Sequence, residues 1–229
     1  MQGVLYGIGV GPGDPELLTL KAVRLIREAD IIAVPGETVE ESFAYQIAVQ
    51  TLPEIIDKKR MAIPMPMCRD EAVLRDHHEK GAKMLEKILK KGHNVAFLTL
   101  GDPTVYSTFT YLQEIVEMDG YQTKLVSGIP SFCAAAAEAN IPLAVKDEPI
   151  HILPADYALK NTKMNEGNCI LMKFGKQIGK VKDILIERKR DGILVENCGT
   201  EQQRIYAHLK DIPETVGYYS LLISKRNKS

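Results

Sequence analysis

Two apolar runs in this chain each end in a turn built from glycine, aspartate and proline, and that repeated junction restricts the fold more than any other feature. The first turn is Gly7-Ile8-Gly9-Val10-Gly11-Pro12-Gly13-Asp14-Pro15, and the second is Leu98-Thr99-Leu100-Gly101-Asp102-Pro103-Thr104-Val105-Tyr106-Ser107-Thr108. Each follows a strand-like stretch and precedes a helix-like one, which places bare backbone at the carboxyl end of a strand, where open α/β sheets bind ligands. Two such loops imply one shared cleft.

The first turn departs from the nucleotide-binding loops it superficially resembles. A G-x-G-x-x-G fingerprint needs glycine at position 12 or 14, where Pro12 and Asp14 stand, and no G-x-x-x-x-G-K-[ST] segment occurs. Asp14 reads as a helix N-cap and Pro15 as the first helical residue. Those two roles explain the turn but not glycines at the alternate positions 9, 11 and 13, each of which adds entropy to the unfolded chain.

The rest of the sequence alternates strand and helix patterns, the signature of α/β folds. Strands are expected at 4–10, 30–35, 94–100, 124–126, 151–153, 169–172, 193–196 and 219–224, and helices at 15–29, 40–52, 69–91, 106–117, 131–139, 155–164 and 177–189. Met118-Asp119-Gly120 reads as the handover between two small α/β lobes, residues 1–118 and 119–229. The Lys58-Lys59-Arg60 run is expected on a solvated surface, and the His77-His78 pair exposed on a polar helix.

Composition excludes several classes. A chain of 229 residues with 45% hydrophobic content can form one large domain or two smaller ones. A net charge of −1 calls for neither nucleic acid nor membrane as a partner. The amino terminus lacks a basic region followed by an apolar stretch and cleavage site, and no apolar run approaches membrane-spanning length, so a cytoplasmic location is expected. Cys68, Cys133, Cys169 and Cys198 form no C-x-x-C pair and read as buried reduced thiols. Neither they nor the five histidines show metal-ligand spacing, so no metal site is expected.

The Val10-Gly11-Pro12-Gly13-Asp14-Pro15-Glu16-Leu17-Leu18-Thr19 run resembles the opening signature of the S-adenosylmethionine-dependent tetrapyrrole methyltransferases, and Gly101-Asp102-Pro103 resembles that family's central cofactor-binding motif. Three segments are similar to the branch that methylates carbon 20 of precorrin-2 or cobalt-factor II in cobalamin biosynthesis. They are Asp30-Ile31-Ile32-Ala33-Val34-Pro35, Pro66-Met67-Cys68-Arg69-Asp70 and the whole of Gly101 to Thr108. The likeness runs from Leu5 to Ser220-Leu221-Leu222-Ile223. It implies two α/β lobes with the cofactor in the trough between them, a tetrapyrrole substrate and a homodimer.

S-adenosylmethionine carries a sulfonium, an adenine, a ribose and an amino-acid end but no phosphate, so a helix-end anion cradle is unnecessary. The family pattern carries cofactor contacts onto Pro12, Gly101, Asp102 and Val105. Asp102 reads equally as a ligand or as a capping turn residue. Ser127-Gly128-Ile129-Pro130-Ser131-Phe132 matches the family's Pro-Gly-x-[ST]-[SA] loop with Ser127 in place of the proline and Pro130 in place of the hydroxyl residue. Pro130 and Ser131 are carried over from it, Ser131 as the remaining hydroxyl. Met172-Lys173-Phe174-Gly175 and Val195-Glu196-Asn197-Cys198-Gly199-Thr200 put Phe174 and Cys198 against the adenine, and Leu221 closes the pocket.

A macrocycle fringed by carboxylates needs cationic partners, preferably arginine. Arg69, inside the branch-specific segment, is the expected one, while Gly9, Gly11 and Gly13, with Asp14, are expected to let a flat ring approach bare backbone. Methyl transfer by in-line displacement leaves S-adenosylhomocysteine and asks the protein mainly for alignment. No catalytic base is assigned; Tyr106, Asp14, His77 and His78 are candidates by position only. A uroporphyrinogen-III-type or diphthine methyltransferase, and a cofactor-binding scaffold without activity, are the alternatives.

Overall fold

Apolar runs of about five residues are the pattern of strands buried on both faces, as in a parallel sheet covered by helices on each side. The computed structural model, which describes residues 1–66, 68, 70–154, 167–174 and 177–225, has such a sheet in its first half. Val4–Gly9 (β1), Ile31–Pro35 (β2), Lys59–Ile63 (β3), Val95–Thr99 (β4) and Gln122–Val126 (β5) run parallel in the order β3-β2-β4-β1-β5. Every residue of β4 is buried. Side chains alternate across the sheet, so Ile8, Ile32, Val34 and Leu98 join one core with α1 (Leu20–Glu28) and α2 (Phe43–Thr51), while Leu5, Ala33 and Phe97 join another with α3 (Glu71–Leu89) and α4 (Phe109–Met118). A Cβ at Gly7 would overlap the Phe109 ring, so the glycine is what lets α4 lie directly on β1.

The second half forms a mixed sheet. Ile150–Pro154 (β6) pairs in parallel with Asn168–Met172 (β7), and Ile193–Glu196 (β8), Arg204–Tyr206 (β9) and Ser220–Ser224 (β10) complete the order β6-β7-β10-β8-β9 in antiparallel pairs. Its core joins Cys169, Leu171, Leu194 and Leu222 to Ile178, Val181 and Leu185 of the helix Ile178–Glu187 (α6), and Ser131–Glu138 (α5) opens the unit. Arg190 is buried here, and its guanidinium donates to Ser224 Oγ at 3.1 Å, Gly167 O at 2.8 Å and Ser224 O at 2.9 Å, acceptors that a buried cation requires.

The two compact units are Met1–Pro130 and Ser131–Ser229. The division expected after residue 118 is therefore displaced, because β5 hydrogen-bonds along β1 and belongs to the first sheet. The helix expected over 15–29 is broken. Asp14 caps only a 3-10 turn, Pro15–Leu17, by accepting from Glu16 N at 2.8 Å, and Thr19 supplies a second cap for α1 by accepting from Ala22 N at 3.2 Å. The expected start of α4 at residue 106 moves to Phe109.

The basic run is not a bare surface. It opens the edge strand β3; Lys58 donates to the Arg27 and Ala29 carbonyls at the end of α1 (2.8 and 2.7 Å), and Arg60 donates to Tyr45 Oη at 2.8 Å. His78 is not simply exposed either: it stacks on Tyr111 at 4.7 Å, and burial pushes its imidazole below the ordinary histidine range. Of the thiols, Cys169 and Cys198 are buried while Cys68 and Cys133 are exposed. The helix expected at 155–164 lies outside the described residues.

Because the Phe109 ring is wholly buried, Gly7→Ala should lower stability by about 1–3 kcal/mol through overpacking. Adding Phe109→Leu to it should recover part of that loss. Urea midpoints of the two proteins check this; a Gly7→Ala midpoint equal to that of the parent would mean that α4 does not rest on β1.

Candidate functional site

Parallel neighbours leave a sheet at the same edge, so β1, β4 and β5 deliver their following loops, residues 10–14, 100–108 and 127–130, to one place. Backbone joins the first two: Val10 N donates to Thr99 O at 3.0 Å, Gly11 N to Gly101 O at 3.3 Å and Gly101 N to Gly11 O at 2.8 Å. Gly11 and Gly101 hold this bridge at φ +78° and +70°, a region that glycine enters without strain. The third loop then packs backbone on backbone. A Cβ at Gly9 would lie 2.5 Å from Gly101 O and 2.7 Å from Gly128 N, and one at Gly128 would collide with Gly101 O.

The carboxylate of Asp102 ties this junction together. It is 7% exposed; its Oδ2 accepts from Gly128 N at 3.0 Å and its Oδ1 from Thr104 N at 2.8 Å and Thr104 Oγ1 at 2.5 Å. Thr19 Oγ1 reaches Ser127 O at 3.4 Å, linking the start of α1 to the third loop. At the far end of the second loop, buried Ser107 shares a 3.0 Å hydrogen bond with Thr99 and accepts from Phe109 N, the first residue of α4, at 3.2 Å.

Of the expected site residues in this unit, Gly9, Gly11, Pro12, Gly13, Gly101 and Asp102 are buried, and Asp14, Val105 and Pro130 are half-buried. The structure brings Gly9, Gly11, Gly101 and Asp102 into direct contact. The space that a Cβ would take at Gly9 is filled by Gly101 and Gly128, and a Cβ at Gly11 would sit 3.3 Å from Leu17 Cβ in left-handed backbone, so packing and backbone conformation by themselves call for glycine at both positions. Arg69 lies outside the described residues; its neighbour Asp70 caps α3, accepting from Ala72 N at 2.9 Å and Val73 N at 3.2 Å.

In the second unit β10 runs antiparallel to both β7 and β8, so its start lies beside their ends, with Leu221 opposite Met172 and Val195. That register gathers Phe174, Cys198 and Leu221 at one sheet edge, all buried, with Phe174 packed into the apolar core. Ser131, at the start of α5, is half-buried. Buried Glu196 holds the turn before β10: it accepts from Gly217 N at 2.7 Å, Ser220 Oγ at 3.2 Å and Tyr206 Oη at 3.2 Å. Lys173 and Asn197 adopt left-handed backbone (φ +57° and +48°), and burial pushes the Lys173 ammonium below its ordinary value.

Sequence reasoning missed Thr104, Ser107, Gly128 and Glu196 as parts of these edges. The Asp102-Pro103-Thr104 spacing, an aspartate hydrogen-bonding two residues on, was the available signal for the first; nothing local marks Glu196. Among the described residues no three histidine, cysteine or acidic side chains gather as a metal site, and no helix is long and apolar enough to cross a membrane. The first unit's edge thus offers bare backbone, small residues and one buried negative charge, which favours a cationic ligand. A sulfonium-bearing cofactor without a phosphate fits that donor set.

The family model described as tetrapyrrole (corrin/porphyrin) methylases matches residues 4–213. A probable cobalt-precorrin-2 C(20)-methyltransferase of Methanocaldococcus jannaschii is 36% identical, with 98% of this chain and 96% of that protein covered. The cobalamin biosynthesis protein CobIJ of Mycobacterium tuberculosis is 30% identical over 96% of this chain but only 45% of its own length, so this chain spans less than half of that relative. Among solved structures, the putative cobalamin synthesis related protein (CobF) from Corynebacterium diphtheriae shares the fold at a TM-score of 0.78 and 22% identity, with 98% of this chain and 99% of that one covered.

Two substitutions separate packing from ligand binding at the loop junction. Asp102→Ala leaves three donors without an acceptor and should lower the stability of the ligand-free protein by about 2 kcal/mol. Gly11→Ala forces a side chain into left-handed backbone and should cost about 1 kcal/mol. Thermal melts without ligand measure both; an Asp102→Ala melt unchanged from the parent would show that the carboxylate does not hold the loops.

Proposed function

The chain belongs to the tetrapyrrole (corrin/porphyrin) methylases, and on that premise we propose that it transfers a methyl group from S-adenosylmethionine to carbon 20 of precorrin-2 or cobalt-factor II in cobalamin biosynthesis. The observation that carries the reading is the 36% identity to the Methanocaldococcus protein over nearly the whole of both chains. The loop edge agrees with it in chemistry, since a buried carboxylate amid bare backbone suits a cationic sulfonium ligand.

When bound, S-adenosylmethionine supplies an electrophilic methyl that an electron-rich ring carbon takes by in-line displacement, leaving S-adenosylhomocysteine. The protein's part is alignment, the entropic contribution that a rigid site makes to a two-reactant step. Pro12, Gly101, Asp102 and Val105 are the proposed cofactor contacts of the first unit, and Pro130, Ser131, Phe174, Cys198 and Leu221 those contributed by the 130–131 segment and the second unit. With both oxygens hydrogen-bonded to donors of its own chain, Asp102 acts by fixing loop positions and by its charge. Gly9, Gly11, Gly13, Asp14 and Arg69 are the proposed substrate contacts, the glycines through their backbone and Arg69 through a carboxylate of the macrocycle. The same reading extends to a cytoplasmic homodimer, an assembly that light scattering checks.

Precorrin-2, cobalt-factor II and uroporphyrinogen III, each offered with labelled S-adenosylmethionine, should separate the readings. Label is expected on carbon 20 of one or both of the first two and absent from the third; labelled uroporphyrinogen III alone would overturn the assignment. Arg69→Ala should raise the KM for the accepted tetrapyrrole about tenfold with kcat nearly unchanged, because the lost carboxylate contact is made equally in ground and transition states. Arg69→Lys should recover part of that, since an ammonium cannot reproduce a bidentate contact.

A further inference from the structure

Glu196 ends β8 as a carboxylate kept from water, 7% exposed. Its Oε1 accepts from Gly217 N at 2.7 Å and lies 3.2 Å from Ser220 Oγ, and its Oε2 accepts from Tyr206 Oη at 3.2 Å. Ser220 also donates to Gly217 O at 2.7 Å, so its one proton is divided between two acceptors, and the short bond from Gly217 N is the main restraint. These partners stand 10, 21 and 24 residues along the chain, so no local turn calls for an acid here. A β-branched apolar residue would end a buried strand at lower cost.

What the carboxylate fixes is the spacing of two segments at this sheet edge. On one side stands Cys198, two residues beyond Glu196, with Asn197 between them in left-handed backbone and its N donating to Tyr219 O at 2.8 Å. On the other side the 217–220 turn leads into β10, where Ser220 is in register with Glu196 and Leu221 with Val195. The Glu196 carboxylate and the Asn197 backbone thus clamp the turn against residues 196–198, and the separation of Cys198 from Leu221 follows. Gly217 would otherwise give that turn backbone freedom. We propose that Glu196 is a positioning residue for S-adenosylmethionine, holding Cys198 and Leu221 at the separation that receives the cofactor; the inference rests on the reading of those two residues as cofactor contacts. A pocket wall held in place beforehand spares the ligand the cost of ordering it.

The test compares wild type, Glu196→Gln, Glu196→Asp and Glu196→Ala by thermal melt, by calorimetric titration with S-adenosylhomocysteine, by absorbance titration with cobalt-factor II, and by turnover. Glu196→Gln loses the charge but keeps the reach: its amide oxygen can accept from Gly217 N and its amide nitrogen can donate to Tyr206 Oη, so S-adenosylhomocysteine affinity should stay at the wild-type value. Glu196→Asp keeps the charge but withdraws it by one methylene, and should bind S-adenosylhomocysteine about threefold more weakly, with Glu196→Ala about tenfold weaker, because the turn must then be ordered on binding. Cobalt-factor II affinity should not change in any of them. Wild-type S-adenosylhomocysteine affinity in Glu196→Asp overturns the proposal and leaves Glu196 a residue of the fold alone, and should Glu196→Ala fail to fold, the Gln and Asp variants decide. A loss in Glu196→Gln with Glu196→Asp intact would assign the effect to charge and overturns it too, as does an equal loss of both ligands in Glu196→Asp. Wild type that binds S-adenosylhomocysteine but methylates neither precorrin-2 nor cobalt-factor II would overturn the methyl-transfer reading alone, leaving the positioning role to the titrations; wild type that binds no S-adenosylhomocysteine overturns both.

Discussion

The loop edge of the first unit depends on one buried carboxylate. Three loops leave a parallel sheet side by side, and nothing in the strands themselves dictates how those loops pack. Asp102 settles it by accepting from Gly128 on a neighbouring loop and from Thr104 on its own. A carboxylate out of water is tolerable only when its oxygens are supplied with donors, so the requirement works in both directions: the loops satisfy the charge, and the charge fixes the loops. The glycines follow from that closeness. With Gly101 drawn against Gly9 and Gly128, no Cβ fits at either of the latter positions.

The second unit solves the same problem with different parts. There, Glu196 at the end of β8 accepts from Gly217, Ser220 and Tyr206, and so sets where β10 begins and which residues face Met172 and Val195. In both units an acidic side chain at a strand end organises a glycine-containing turn. The partners of both acids are backbone N–H groups and hydroxyls. That suits a reaction whose demands are proximity and electrostatic fit rather than proton transfer from the protein.

Much of this was legible in the chain. The strand-turn-helix junctions, the two α/β units and the loops that matter all follow from short-range signals: apolar runs, Gly-Asp-Pro turns and caps. Misreadings arose where local rules competed. Asp14 and Thr19 are both sound N-caps, and the chain uses both, so one expected helix became a 3-10 turn and a shorter helix. The Lys58-Lys59-Arg60 run has surface composition, yet Lys58 caps α1 through carbonyls 31 and 29 residues away and Arg60 reaches Tyr45, 15 residues away, separations invisible to local pattern. The division between units was misplaced because Met118-Asp119-Gly120 is a good turn, and only the pairing of β5 with β1 shows to which sheet the following strand belongs.

The sequence by itself determined which segments become strands, helices and turns, and which family motifs the chain carries, because those depend on periodicity, backbone permissiveness and residues adjacent in the chain. The tertiary structure alone decided what each motif residue touches. Gly9 and Gly11 look alike on paper, yet a Cβ at Gly9 would meet Gly101 and Gly128 while one at Gly11 would meet Leu17. Asp102 reads equally as ligand or cap, and only the fold brings Gly128 N, 26 residues away, to its second oxygen. Such assignments rest on distances between loops remote in sequence, and those distances exist only after the parallel strands have set the loops side by side.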